Sequence, residues 1–426
     1  MRFELRHRKM DPLILFTIPV TLDFRYVHFM NFWKHIPKPI VGLSPMDGIT
    51  DASFRFITAK HGCPDVTVTE FVNVQSAFYS PHILFKDFTY SEIERPVVAQ
   101  IYGKTPELFY KVAHLVCELG FDGLDINMGC PAKKVAASGC GAALIRTPEL
   151  ARSIIRAAHQ GIDDWFNGQT LSDLQIAPEV IQQIRTANKE RTGVETVARE
   201  RRIPLSVKTR LGYDRVVIDD WIKTLLEEKL AVISLHGRTL QQGYKGNADW
   251  EAIGRAVGIA QNSGTLILGN GDLQDMKDVC RRVRETNVDG VLLGRAAQGN
   301  PWIFRTKDNV KQAARANDLP SASDEAISIK ERFDVIMEHS NHFETYCGRS
   351  RFNAIRKHLI WYCRGFRGAA EMRAAMVRVT SARDVATCLS NFIASAGAEC
   401  ELSAPSALEA SPEHIPPTHS FEQSAS

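Results

Sequence analysis

Charge of one sign is scarce in this chain: 52 Lys and Arg stand against 49 Asp and Glu, a net +3. So mild a balance neither requires nor excludes a nucleic-acid partner, which a clustered basic face would still accommodate. Regular cysteine spacing is also missing. The nine cysteines contain no C-x-x-C pair, so neither a zinc ribbon nor a disulfide framework is indicated and reduced thiols in a cytoplasmic enzyme fit best. No metal site is expected. No apolar run reaches the roughly 20 residues of a membrane span. Arg6-His7-Arg8-Lys9 and the run Pro12–Leu22 look like parts of a signal peptide, but no small-residue cleavage site follows and Asp23, Arg25 and His28 interrupt the run. Residues 1–37 read as a peripheral extension, with Met30 opening a segment that leads into the first strand. Nor is there a Gly-x-Gly-x-x-Gly turn of the dinucleotide-binding kind.

What is present is a globular composition, 44% hydrophobic and 24% charged, over 426 residues. Short β-branched runs recur at Ile40–Ser44, Val66–Thr69, Val97–Ile101, Gly123–Ile126, Leu205–Lys208, Val232–His236, Leu266–Gly269 and Gly290–Leu293. Helix-period segments separate them, with start signals at Thr105-Pro106-Glu107, Thr147-Pro148-Glu149 and Asp272. Strands alternating with helices in this number predict an α/β fold, a (β/α)8 TIM barrel over 38–312. The polar stretch 162–202 reads as a partly helical insertion. Ser323-Asp324-Glu325 opens a strand-free run, so a small all-α helical domain is expected over 323–394. The Ser/Ala/Glu/Pro-rich remainder, 395–426, lacks the apolar content to fold.

Barrel chemistry sits where strands end at the carboxyl side. Each predicted strand ends in a polar or Gly-rich segment. They are Ser44–Gly48, Thr69-Glu70, Gln100, Asn127 with Cys130, Lys208 with Arg210, His236 with Arg238, Gly269–Asp272, and Gly294-Arg295. The last two form a phosphate cradle of backbone N–H groups with one cation. Cys130, fixed between Gly129 and Pro131, is placed for chemistry on a polar anionic substrate. By spacing alone it is equally a buried structural cysteine.

Asn127-x-Gly129-Cys130-Pro131, Val135 and Gly139-x-Gly141-Ala142 closely resemble the signature of the tRNA-dihydrouridine synthases. Pro45–Asp51 with Phe54-Arg55 is similar to that family's opening motif. So are Val207–Arg210, His236–Thr239, Ala248–Trp250, Asn270–Asp272 and Gly294-Arg295, and Arg356–His358 through Trp361-Tyr362 resembles its helical domain. The resemblance implies a bound FMN, NADPH as electron donor, and reduction of specific uridines in tRNA. It implies FMN contacts at Pro45, Met46, Asp47, Gln100, Lys208, His236, Asn270, Gly271, Asp272, Gly294 and Arg295, with Cys130 as proton donor to C5 of the base. Asn127 and Lys134 then meet the base or an RNA phosphate, and Arg238 belongs to the same substrate side. A thiol suits the proton step, being mostly protonated at pH 7 yet far more acidic than a serine hydroxyl.

The helical segment carries Arg349, Arg351, Arg356, Lys357, Arg364, Arg367, Arg373 and Arg378 against Glu371 alone, with Tyr346, Trp361, Tyr362 and Phe366 among them. That mixture suits RNA backbone contacts and base stacking, with Arg356 and Lys357 as phosphate contacts. A monomer without membrane attachment is expected. Two other classes remain open from the sequence. One is an FMN barrel acting on a free pyrimidine, like a dihydroorotate dehydrogenase; the other is a catalytically silent RNA-binding scaffold.

Overall fold

The computed structural model describes residues 31–316 and 326–396. The expected helix start at Ser323–Glu325, residues 1–30 and the C-terminal tail lie outside the described residues. Eight parallel strands follow one another around a closed barrel: β1 (Ile40–Leu43), β2 (Thr67–Asn73), β3 (Val97–Tyr102), β4 (Gly123–Met128), β5 (Leu205–Gly212), β6 (Val232–Thr239), β7 (Leu266–Asn270) and β8 (Gly290–Leu293). β1 pairs with β8 from Ile40–Gly290 to Leu43–Leu293. Leu43 N–H donates to Val66 O at 2.9 Å and brings β1 against the start of β2. The barrel foreseen in the sequence is the barrel observed.

The strands run further than their apolar runs. β2, β4, β5 and β6 continue through Glu70, Asn127, Arg210 and Arg238, so these polar side chains rise from strands and not from loops. Two helix starts also differ in detail. Thr105 and Thr147 stand at N-caps without a side-chain cap bond, and Pro106 and Pro148 at the first helical position supply the start signal. Asp272 caps nothing. Asp275 accepts from Asp278 N–H instead and opens the helix Met276–Thr286.

In the segment 31–37, Lys34, His35 and Pro37 are exposed, but its aromatic pair is not. Phe32 and Trp33 are buried in the floor of the barrel with Ile40, Val68, Val98, Val232, Leu268 and Leu292. They plug the end opposite the strand carboxyl termini. A Cβ on Gly123 would lie 3.3 Å from the Phe32 ring, so β4 passes close to this plug.

The insertion contains a helix, Pro178–Thr192, after the long helix Pro148–Phe166. It closes over the same lower end. Asn188 Nδ2 donates to Glu118 O at 2.9 Å, Arg191 to Leu119 O at 2.9 Å, and Arg201 to Asp122 at 2.6 Å just before β4. Beyond the barrel, helices Ile329–Cys347, Arg356–Tyr362, Ala369–Met376 and Ala382–Ala396 share a core of Phe333, Ile336, Phe352, Leu359, Met376 and Val385. Ile57 and Trp302 of the barrel join that core, so the bundle is seated on the first barrel helix, Ala52–Gly62.

Candidate active site at the barrel mouth

A cavity of about 1020 Å³ opens at the carboxyl ends of the strands. It brings together Pro45, Met46, Asp47, Asn127, Cys130, Lys208, His236, Arg238, Asn270, Gly271, Asp272, Gly294 and Arg295. Among the expected site residues, Gln100, Lys134, Arg356 and Lys357 do not line it.

Cys130 is 9% exposed and held by its own strand. Asn127 Oδ1 accepts from Cys130 N–H at 2.8 Å and from Gly129 N–H at 3.1 Å, which fixes the turn after β4. Asn127 Nδ2 donates to Gln100 Oε1 at 3.0 Å, and Gln100 Nε2 donates to Asp125 at 2.7 Å. Ser206 Oγ completes the row by donating to Asp125 at 2.6 Å. Gln100, read as a flavin contact, therefore lies fully buried beneath the cavity and supports Asn127. Asn127 keeps one N–H for a ligand; its carbonyl oxygen serves the cysteine loop. Burial raises the Cys130 thiol pKa, with the Ala132 N–H, Arg210 and Lys208 opposing, so at neutral pH it carries its proton.

Cations dominate the facing wall. Desolvation, aided by Arg210, pushes Lys208 down to about 8, and its Nζ lies 3.4 Å from Asn270 Oδ1. Burial and the surrounding Arg210, Lys208 and Arg238 hold His236 neutral far below the usual histidine range. Its Nε2 is an acceptor, 3.4 Å from Arg238 Nη1.

The phosphate cradle is built differently from its simplest reading. Gly271 has φ +126°, and a Cβ there would stand 2.8 Å from Ala248 Cβ and 3.1 Å from the His236 ring. Asp272 takes Arg238 Nη2 at 2.6 Å and Ala248 N–H at 2.7 Å. Arg238 is thus almost fully buried inside the cradle, at the lining of the cavity. Its Nε is buried with no hydrogen-bond partner. Gly294 opens only a three-residue 3-10 turn, Arg295–Ala297, so no long helix points its N-terminus at this position.

The bundle reaches the mouth as well. Lys357 Nζ donates to Gly48 O in the loop after β1, and Arg364, which lines the cavity, donates to Gln298 O at 2.7 Å. Arg356 Nε is engaged by Val379 O at 2.7 Å. Reversing charge at Lys357 would therefore disturb the mouth. Lys134 stands exposed on the short helix Lys133–Ala137 above Cys130. Sequence reasoning missed Asp125, Tyr244 and the cavity position of Arg364. Only the Gly-rich turn around Tyr244, directly after β6, carried a local signal.

The family model for dihydrouridine synthase matches residues 42–166 and 183–396, leaving out part of the insertion. A probable tRNA-dihydrouridine synthase of Staphylococcus aureus (strain COL) is 30% identical over 370 residues, 85% of this chain and 95% of that protein. Probable tRNA-dihydrouridine synthase 2 of Bacillus subtilis (strain 168) is 31% identical over 372 residues, 85% and 96% of the respective chains. Among solved structures, DHODH of Eimeria tenella in complex with ferulenol shares 14% identity at a TM-score of 0.42, covering 66% of this chain and 83% of that one, too weak a likeness to bear on function. With its matched segments spanning both the cysteine loop and the helical bundle, this chain belongs to the dihydrouridine synthase family.

Proposed function

We propose that this protein reduces the C5–C6 double bond of uridines in tRNA, with FMN as bound cofactor and NADPH as the source of electrons. The observation that carries the reading is the Cys130 thiol, fixed by Asn127 in a cavity lined also by Lys208, Arg210, Arg238 and Arg295. FMN fits what is present. Gly271, which lines the cavity, holds the turn after β7 at a positive φ, the orphaned Arg238 Nε supplies a donor, and Lys208, Arg238 and Arg295 oppose an anionic phosphate and ring edge. When bound, FMN supplies hydride for C6.

The chain's own residues do the rest. Cys130 Sγ gives its proton to C5, and burial keeps that proton available at neutral pH. Gln100 and Asp125 hold Asn127, and Asn127 holds the thiol loop while presenting one N–H to the base. Neutral His236 accepts a hydrogen bond and donates no proton as an imidazolium. Because a stacked uridine cannot reach Cys130, the base leaves its stack to enter. The cations that the bundle carries to the mouth, Lys357 and Arg364, suit the flanking RNA backbone. An enzyme for a free pyrimidine has no need of them.

The test is digestion and mass spectrometry of an unmodified tRNA transcript after incubation with the holoenzyme and NADPH. Nucleosides two mass units heavier than uridine are expected. Absence of them, alongside turnover of dihydroorotate or free uracil, would overturn the reading.

A further inference from the structure

Among the described residues, the large aromatic side chains most open to solvent are tyrosines, Tyr79, Tyr244 and Tyr346. Tyr79 closes the helix that follows β2. Tyr346 stacks on His342 at 4.3 Å, and His342 bonds Ser53 at the start of the helix after β1. Only Tyr244 also lines the active-site cavity, although its side chain is 64% exposed.

Its position is built, not incidental. The loop after β6 starts on the end of β5, where Leu240 N–H donates to Gly212 O at 3.0 Å and Gln241 N–H to Tyr213 O at 2.9 Å. Two buried arginines then grip the loop carbonyls on either side of the tyrosine. Arg210 Nη1 donates to Gly243 O at 3.3 Å and Arg238 Nη2 to Gly246 O at 2.6 Å. The Arg295 guanidinium lies 5.4 Å from the Tyr244 ring centroid and His236 6.4 Å. An amphipathic ring is thus held at the rim by Arg210 and by Arg238 of the cradle, with a cation against it.

We propose that Tyr244 is a base-stacking residue: when the target uridine enters the cavity, the Tyr244 ring takes the nucleobase next to it in the RNA chain. This rests on the tRNA reading above. Extruding one base strips its neighbour of a stacking partner, and a rigid aromatic ring at the rim restores that contact whatever the neighbour's identity. Exposed Lys245 and Arg295 flank the ring with charge for the adjoining phosphates.

The experiment uses the flavin-loaded holoenzyme and a tRNA transcript, with affinity read by fluorescence anisotropy. Tyr244→Ala is expected to weaken tRNA binding roughly 5- to 150-fold, the range for one lost base–aromatic stack. Flavin content should match wild type, and Tyr244→Phe and Tyr244→Trp should restore affinity. In a second arm, the transcript is made abasic on either side of the uridine that mass spectrometry identifies as reduced. One abasic transcript should lose affinity with wild type and lose no more with Tyr244→Ala. Fully additive losses, or unchanged affinity of folded Tyr244→Ala, overturn the assignment. So does a raised KM for NADPH in tRNA-free flavin reduction, which would give the ring to the electron donor. If wild type forms no dihydrouridine, the functional reading itself fails. If it forms dihydrouridine and Tyr244→Ala binds as tightly, only the stacking assignment fails.

Discussion

A lysine, a histidine and three arginines share one wall of the mouth, and burial sorts them by charge. His236 is neutral, whereas Lys208 at about 8 is the first of the cations to lose its proton as pH rises. Its depressed pKa means that the native state holds the charge at a disadvantage; the charge is present below pH 8 and lost above. Flavin affinity is therefore expected to fall as pH climbs past 8, with a midpoint moved upward by the bound anion itself. The limiting slope is roughly tenfold per pH unit for one required proton. Lys208→Met should bind more weakly at pH 7 and show no such step between pH 7 and 9. Titrating flavin fluorescence against both proteins checks this, and parallel profiles would assign the pH dependence to another group. At this scale the sequence was legible in position, since Cys130 and Lys208 both line the cavity. It was not where a residue acts through another. Gln100 and Arg238 have the chemistry of ligand contacts, and nothing local in the sequence shows that they also pair with Asn127 and Asp272 across strands.

Elements were legible wherever apolar period survived. All the strands sit where β-branched runs place them, but the upper layer of the barrel is polar, so reading stops early at Glu70, Asn127, Arg210 and Arg238. The turn between β7 and its helix shows the same limit. Asp272 and Asp275 look alike in sequence; positive φ at Asp272 turns it toward Arg238 and leaves the cap to Asp275. Gly271 is the position at which that turn is most vulnerable. Gly271→Ala must displace Ala248 or the His236 ring and adopt a backbone conformation disfavoured for side chains, costing about 1–3 kcal/mol. A lower melting temperature and loss of flavin on gel filtration are expected together. Full flavin occupancy with an unchanged melting temperature would show that the turn relaxes freely.

Across the whole molecule the two ends of the barrel divide the work. The mouth carries the cavity and meets the bundle, while the floor carries the Phe32–Trp33 plug and the insertion. Neither lower feature was placed by sequence, because an apolar pair without period and a polar insertion give no sign of which end they cover. Asn188, almost fully buried in the insertion, bridges Glu118 O and Glu195 O. Asn188→Ala leaves those carbonyls unpaired at a cost of about 1–3 kcal/mol. Thermal melts should register that loss while tRNA affinity stays at the wild-type value. A variant that melts normally but binds tRNA poorly would place RNA on the floor instead of the mouth.

The division of labour at the mouth is tested most directly by Cys130→Ala. Its methyl group retains the loop, whose hydrogen bonds come from backbone N–H groups, and removes only the proton. The flavin-loaded variant, given NADPH and an unmodified tRNA transcript in a time course read by nucleoside mass spectrometry, should form dihydrouridine on the order of 10²–10⁴ times more slowly than wild type. Its flavin content should be unchanged. Dihydrouridine formed at the wild-type rate would contradict the assignment of the proton to Cys130.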